Sequence, residues 1–406
     1  MELALRTLSG LLSSGENLKE KTVLLRADLN VPMQQGKVSD TTRIERIVPT
    51  VRALQNVGAR VVVLSHFGRP GGEFVLGMSL APIADALSEI LDERVNFGVD
   101  CIGTAARDAI DRTEYGRVVL LENLRFHHGE KSNDKKFAEQ LSSLGDYYVN
   151  DAFSGSHRAH ASIVGVADFL PAYAGLLFED ELTHLHAVLD GAQKPTAAIV
   201  GGAKISTKLA LLESLVEKMD YLFIGGGMAN TFLYAQGYNV GASLCEHKLK
   251  KTAQRILKKA EASSCRIMLP VDGVVSTEFK ASPICQIVDI GSMPSADHMI
   301  LDIGPETMIS WNEALEKCKT VVWNGPVGAF ELTPFDTGSI MLARIIVKLT
   351  TQEKIQSVAG GGDVLSALSR AGLRDSMSYI STAGGAFLEW LEGKELPGAA
   401  VMMEKK

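Results

Sequence analysis

The stretch Thr22-Val23-Leu24-Leu25-Arg26-Ala27-Asp28-Leu29-Asn30-Val31-Pro32 joins a short aliphatic run to a polar loop closed by proline. The run has strand length and little alternation, as expected of a strand buried on both faces of a parallel sheet, and its polar residues follow the carboxyl end. Three more stretches in the first half repeat this layout. Arg60–Ser65 runs into His66-Phe67-Gly68-Arg69-Pro70, Arg117–Leu121 into Glu122-Asn123-Leu124-Arg125, and Asp146–Asn150 into Asp151-Ala152-Phe153 and on to Arg158. Helical stretches separate the strands, so the chain reads as α/β, with two doubly wound domains of mainly parallel sheet. In open α/β sheets ligands bind beyond the carboxyl ends of the strands, so these four loops predict one crevice rich in Arg and His.

The second half changes the loop chemistry. Ala197–Val200 precedes Gly201-Gly202-Ala203-Lys204, and Tyr221–Ile224 precedes Gly225-Gly226-Gly227. Val321–Trp323 leads to Asn324-Gly325-Pro326-Val327-Gly328, Ile355–Val358 to Gly360-Gly361-Gly362-Asp363, and Tyr379–Ser381 to Thr382-Ala383-Gly384-Gly385-Ala386. Glycine loops at helix starts can wrap N–H groups around phosphate. One such loop is as readily a plain turn; five on one sheet edge point to a nucleotide. Between the halves, Phe178, Leu182, Leu185 and Leu189 recur at helical spacing, and residues 175–193 read as a connecting helix.

A length of 406 residues exceeds what one core usually organises, and 46% hydrophobic with 22% charged residues is ordinary globular composition. The net charge of −7 argues against a nucleic-acid scaffold, so an anionic ligand needs a local cluster of cations. The five cysteines are scattered without a C-x-x-C pair, which suggests reduced core thiols. Residues 1–20 carry Glu2, Arg6, Glu16 and Lys19 and resemble no signal peptide, and no apolar run approaches membrane-spanning length. A cytoplasmic protein without membrane or nucleic-acid partners is expected.

Neither G-x-x-x-x-G-K-[ST] nor G-x-G-x-x-G occurs, which weakens a P-loop ATPase, a protein kinase and an NAD-binding enzyme. Lys204 follows Gly-Gly-Ala and Lys208 lies one helical turn later; they read either as a solvated helix face or as two ammonium groups on one phosphate chain. Asp363 reads as a helix cap or as a carboxylate for Mg²⁺. Singly, Arg43, Arg69, Arg125 and Arg158 read as surface ion pairs; together on one edge they would repel unless an anion joined them. His127-His128, His157 and His160 show no metal-ligand pattern.

In order, Arg26-Ala-Asp-Leu-Asn-Val-Pro32, Ser65-His-Phe-Gly-Arg-Pro70, Leu121-Glu-Asn-Leu-Arg-Phe126, Asp151-Ala-Phe through His157-Arg-Ala-His160, Gly201-Gly-Ala-Lys204, Gly225-Gly-Gly-Met-Ala229, Trp323-Asn-Gly-Pro-Val-Gly328 and Gly360-Gly-Gly-Asp363 resemble the motifs of phosphoglycerate kinases over essentially the whole chain. The resemblance implies a phosphoglycerate-binding domain (1–174), a connecting helix (175–193), a nucleotide-binding domain (194–381), a returning segment (382–406), hinge closure and a monomer. It implies reversible phosphoryl transfer between ATP and 3-phosphoglycerate, with Mg²⁺. Asp28, Leu29, Asn30, Arg43, His66, Phe67, Gly68, Arg69, Arg125 and Arg158 would bind 3-phosphoglycerate. Lys204, Lys208, Gly225, Gly226, Leu244, Gly304, Asn324, Glu331, Gly361, Gly362, Asp363 and Val364 would surround the nucleotide, with Glu331 near the ribose and Asp363 on Mg²⁺. Arg43, Lys204 and the helix start at Gly384 would be catalytic.

Val364 stands where such kinases generally carry Thr or Ser, and Ala383 and Phe387 where they usually carry Gly and Ser. On sequence alone, Val364→Thr is expected to be neutral or mildly favourable, unless the valine is packed in an apolar pocket. Two other classes compete with the kinase reading. A non-catalytic nucleotide-binding protein would not need both clusters, and a dehydrogenase would need the missing dinucleotide fingerprint.

Overall fold

A computed structural model describes residues 5–189, 191–381 and 383–404. Asp190 of the expected connecting helix, Thr382 at the head of the expected returning segment, and the residues at either chain end lie outside the described residues. The chain divides into two units, Met1–Thr183 with Glu395–Lys406, and His184–Lys394.

The first unit is built on β1 (Thr22–Arg26), a small hairpin β2 (Met33–Gln34) and β3 (Lys37–Val38), then β4 (Arg60–Leu64), β5 (Asn96–Gly98), β6 (Val118–Leu121), β7 (Tyr147–Asn150) and β8 (Ala172–Ala174). Six of these form one parallel sheet in the order β5-β6-β4-β1-β7-β8. All five residues of β1 are buried, because it is central and covered on both faces. The helix Thr42–Asn56 turns Ile44, Ile47, Val51 and Leu54 inward at helical spacing. Asp151, just past β7, accepts the N–H of Phe178 at 3.1 Å and fixes the start of the helix Leu176–Leu189. Burial pushes the Asp151 carboxyl up to about 6.

The second unit contains β9 (Thr196–Val200), β10 (Tyr221–Ile224), β11 (Arg266–Met268), β12 (Asp272–Ser276), β13 (Gln286–Asp289), β14 (Met299–Ile303), β15 (Thr320–Asn324), β16 (Gln356–Gly360) and β17 (Tyr379–Ser381). Its parallel sheet runs β11-β10-β9-β15-β16-β17, and an antiparallel sheet β13-β12-β14 stands apart. The core gathers around Trp311 and Trp323, with Phe223 edge-on to Trp311 at 5.2 Å.

The segment expected to return to the first domain divides. The helix Gly384–Leu391 belongs to the second unit, where the Leu391 carbonyl accepts the Ser214 hydroxyl at 2.9 Å. Glu395–Lys406 groups with the first unit, through Arg6 N–H to Met402 O at 2.8 Å and Gly398 N–H to Ser156 O at 2.8 Å.

Candidate active site

In the first unit, Arg26 stands in register with Leu64 on one side and Asn150 on the other. The loops after β1, β4 and β7 therefore leave the sheet side by side. Ser65 stitches two of them, donating to Ala27 O at 2.9 Å and accepting the Leu29 N–H at 2.9 Å. Asn30 Oδ1 accepts the Gly68 N–H at 2.9 Å, and Arg125 Nη1 donates to Gly68 O at 2.7 Å. Asn123 Oδ1 receives the N–H groups of Phe67 and Arg125 at 3.1 and 3.0 Å. Arg43 Nη1 donates to Asp28 Oδ2 at 3.0 Å and Asn30 O at 2.9 Å.

The charge balance here is one-sided. Arg26 is only 2% exposed, yet its Nε donates to the Ser162 hydroxyl at 2.8 Å and its Nη2 faces His66 Nδ1 at 3.1 Å. A guanidinium can only donate, so Nδ1 accepts and the neutral His66 ring carries its proton on Nε2. Burial, then Arg26, holds His66 well below its ordinary pKa. Burial followed by Arg26, Arg125 and Arg158 brings His160 down to about 4, and burial followed by Arg26 and Arg158 brings Arg125 down to about 10. Burial, the largest influence, would raise Asp28, but the attraction of Arg43 together with the neighbouring hydrogen bonds from Ser154 and the Asn30 N–H outweighs it and lowers the carboxyl below its ordinary pKa. The buried Glu130 is satisfied by Ser162, whose hydroxyl and N–H it accepts at 2.6 and 3.0 Å. Cations that depress one another around two carboxylates form a cluster electrostatically suited to an anion. Arg69 and Arg158 are exposed, in the loops after β4 and β7.

One further set of side chains, Asp100, Cys101 and His127, lies within reach of a shared cation. Its carboxylate is already engaged: Asp100 Oδ1 meets His127 Nε2 at 2.7 Å and the Cys101 N–H at 2.6 Å, and burial holds the Cys101 thiol well above its ordinary pKa.

In the second unit, β9 lies between β10 and β15, with Val200 in register with Ile224 and Asn324. The glycine loops consequently lie next to one another. A Cβ at Gly201 would sit 1.9 Å from the Pro326 carbonyl oxygen, and Gly226 has φ +67° with a Cβ position 2.8 Å from Gly202 O, so both positions require glycine. Lys208 Nζ donates to Gly201 O at 2.8 Å and Asn324 Oδ1 at 2.6 Å, while Asn324 Nδ2 donates to Gly360 O at 2.8 Å. Burial pushes Lys208 down to about 8, opposed by the Asp363 carboxylate.

Above these loops opens a cleft of about 530 Å³ whose walls include Gly226, Leu244, Glu331 and Asp363. Lys208, Asn324, Gly225 and Gly361 are not among its walls but are tied to the loops that form them: Gly225 packs on Val327, Gly361 on the Asn324 amide, and Lys208 on Asn324 Oδ1. Lys204 is exposed ahead of the short helix Ile205–Thr207. Gly304 faces the Asp272 carboxylate rather than the cleft. Gly361 is the N-cap of the helix Gly362–Arg370, so Asp363 sits in the first turn and is not itself the cap. Gly384 opens the helix Gly384–Leu391.

A family model described as phosphoglycerate kinase matches residues 14–394. The chain belongs to the phosphoglycerate kinase family. A phosphoglycerate kinase of Sinorhizobium medicae is 55% identical over 386 residues, 95% of this chain and 96% of that protein. One of Methylorubrum extorquens is 54% identical over 385 residues, covering 95% and 96%. The solved phosphoglycerate kinase of Coxiella burnetii superposes with a TM-score of 0.88 at 42% identity, covering 96% of this chain and 97% of that one. That of Pyrococcus horikoshii gives 0.81 at 31% identity, with 98% of each covered.

Within this phosphoglycerate kinase fold, the departures at 364, 383 and 387 are packing substitutions. Val364 is fully buried in the core that also contains Val327, Leu342, Ala359 and Leu368. Phe387 is fully buried too, and a Cβ at Gly360 would fall 2.5 Å from its ring, so the ring lies on the backbone that leads into Gly361. Ala383 is 3% exposed. The expectation of a neutral Val364→Thr is therefore corrected. Burying a hydroxyl in place of a packed methyl should lower stability by about 1–2 kcal/mol without raising MgADP affinity, as read by urea unfolding and calorimetry on one variant.

Sequence reasoning passed over Arg26, Glu130, Ser162 and Asp302. Asp302 is 2% exposed, accepts the N–H of Gly338 at 2.7 Å and of Ile303 at 2.9 Å, and is pushed up to about 8 by burial. The available signal was a charged residue inside an apolar strand run, at Arg26 and again at Asp302.

Proposed function

We propose that the first unit holds 3-phosphoglycerate and the second holds the nucleotide, in the reaction of the family: reversible phosphoryl transfer between ATP and the carboxylate of 3-phosphoglycerate, giving ADP and 1,3-bisphosphoglycerate. This places the protein in glycolysis and gluconeogenesis. The supporting observation is the division of chemistry, a basic cluster under-supplied with carboxylates in one unit and a glycine-walled cleft in the other.

Arg43, Arg69, Arg125 and Arg158, with Asp28, Leu29, Asn30, His66, Phe67 and Gly68, bind the phosphoglycerate. His66 contributes an N–H donor from Nε2. Lys208, Asn324, Gly225, Gly226 and the backbone of Gly361–Val364 form the phosphate end of the nucleotide site, and Leu244 and Glu331 its nucleoside end. Asp363 suits Mg²⁺, since it is an exposed carboxylate on the wall of the glycine-lined cleft, within electrostatic reach of the half-buried Lys208 ammonium. Bound there with the nucleotide phosphates, the ion supplies charge neutralisation.

The acceptor is a carboxylate, ionised near neutral pH with a reference pKa of about 4, so no residue need act as a base. Lys204 and Arg43 oppose the charge on the transferring group, aided by the N–H groups at Gly384. Because donor and acceptor bind different units, transfer calls for a hinge closure that joins them and excludes water. No described helix is long and apolar enough to cross a membrane, and we take the enzyme to be a cytoplasmic monomer acting on small molecules.

Arg158→Ala tests the assignment of the first unit. Loss of a charge-assisted contact should weaken 3-phosphoglycerate by about 1.5–3 kcal/mol and leave MgADP nearly unchanged, by calorimetry with each ligand. Equal losses for the two ligands would remove the basis for dividing them between units.

A further inference from the structure

Three consecutive residues of the cleft wall, Ala329, Phe330 and Glu331, belong to no helix or strand. They lie in the stretch between β15 and the helix Thr337–Thr351, and a wall made of loop holds its place only through what it is tied to. Toward the antiparallel sheet, the Ala329 N–H donates to Leu301 O at 2.7 Å. A further tie comes from the side chain of Arg370. Arg370 Nη1 donates to Phe330 O at 2.6 Å, its guanidinium carbon lies 5.7 Å from the centre of the Phe330 ring, and Nη1 stands 3.6 Å from Asp336 Oδ2. Asp336 in turn receives the Thr333 hydroxyl at 3.1 Å, so the guanidinium holds the wall segment at both Phe330 and its far end.

Arg370 is the last residue of the helix Gly362–Arg370, and Asp363 on the same cleft is the second. Nine residues at 1.5 Å rise make a rigid rod of about 13 Å. One end of that rod carries the carboxylate beside the glycine loops, and the other grips the wall that presents Glu331.

We infer that Arg370 is a positioning residue for nucleotide binding, which fixes the Phe330–Glu331 wall against the helix that carries Asp363 and so sets the spacing between the nucleoside and phosphate ends of the cleft. This rests on the reading of that cleft as the nucleotide site. The fork geometry matters as well as the charge, because one planar group serves a carbonyl, a ring face and a carboxylate. Arg370 touches neither ligand in this account, so its loss bears on ligands that span both ends of the cleft and spares those confined to one.

Arg370→Met, Arg370→Lys and Leu244→Asp are compared by calorimetry with MgADP, inorganic tripolyphosphate and 3-phosphoglycerate, and by steady-state kinetics. Arg370→Met should weaken MgADP about tenfold and raise the KM for ATP in step, with kcat at saturating ATP, tripolyphosphate affinity and 3-phosphoglycerate affinity within about twofold of wild type. Arg370→Lys should fall between the two, and Leu244→Asp should weaken MgADP at least as much as Arg370→Met. If Leu244→Asp weakens MgADP and Arg370→Met does not, the cleft binds nucleotide but the inference about Arg370 is overturned. If Arg370→Met weakens all three ligands alike, Arg370 acts on stability of the unit and the positioning role is also overturned. If neither variant alters MgADP, the nucleotide reading of the cleft fails and takes the inference with it.

Discussion

Arg43→Ala is expected to lower kcat by about 100- to 1,000-fold, the range seen when one preorganised donor to a developing charge is removed. Arg43 is not a loose surface arginine: one nitrogen of its fork donates both to Asp28 Oδ2 at 3.0 Å and to Asn30 O at 2.9 Å, which fixes the plane of the guanidinium. Its other donors are the ones a substrate would meet. Arg43→Lys keeps the charge and loses the fork, so it should recover only part of the rate. A kcat within threefold of wild type for Arg43→Ala, with only KM raised, would reduce Arg43 to a ground-state binding residue.

Asp363→Ala should lower Mg²⁺-dependent turnover by about 100-fold or more while the protein stays folded. Two readings of Asp363 were open from sequence, a helix cap and a metal ligand. The N-cap is Gly361 and makes no side-chain cap, which leaves Asp363 free of the capping role. The variant also removes the carboxylate that supports the charge of Lys208. A lysine is charged below its pKa and an adjacent carboxylate raises that pKa, so its removal should carry the alkaline limb of the pH–rate profile to lower pH from about 8. Unchanged activity at saturating Mg²⁺, measured beside an unchanged unfolding curve, would exclude the metal role.

The nine strands read from sequence share one property: each is a compact apolar run followed closely by glycine or polar residues, and both the run and its ending are local. The antiparallel sheet escaped for the opposite reason. β13 is Gln286-Ile287-Val288-Asp289, with all four residues wholly or partly exposed, and only its pairing with β12 makes it a strand. The same limit hid the buried support of the basic cluster. Arg26 reaches Ser162 across 136 positions, and no spacing in the sequence announces that pair. Val364 was misjudged because its place in a glycine-rich loop suggested a phosphate contact, whereas the first turn of the helix Gly362–Arg370 aims its side chain into the core. The fate of residues 384–394 followed from packing on the helix Leu209–Lys218 and is likewise tertiary information.

The most direct test of the account is a coupled assay with the purified protein, MgATP and 3-phosphoglycerate, reading 1,3-bisphosphoglycerate through its reduction. Formation of the acyl phosphate should require both substrates and Mg²⁺, and should fall at least 100-fold in both Arg43→Ala and Asp363→Ala, one residue from each unit. Calorimetric binding of MgADP and 3-phosphoglycerate without any acyl phosphate formed, or ATP hydrolysis that does not depend on 3-phosphoglycerate, would contradict it.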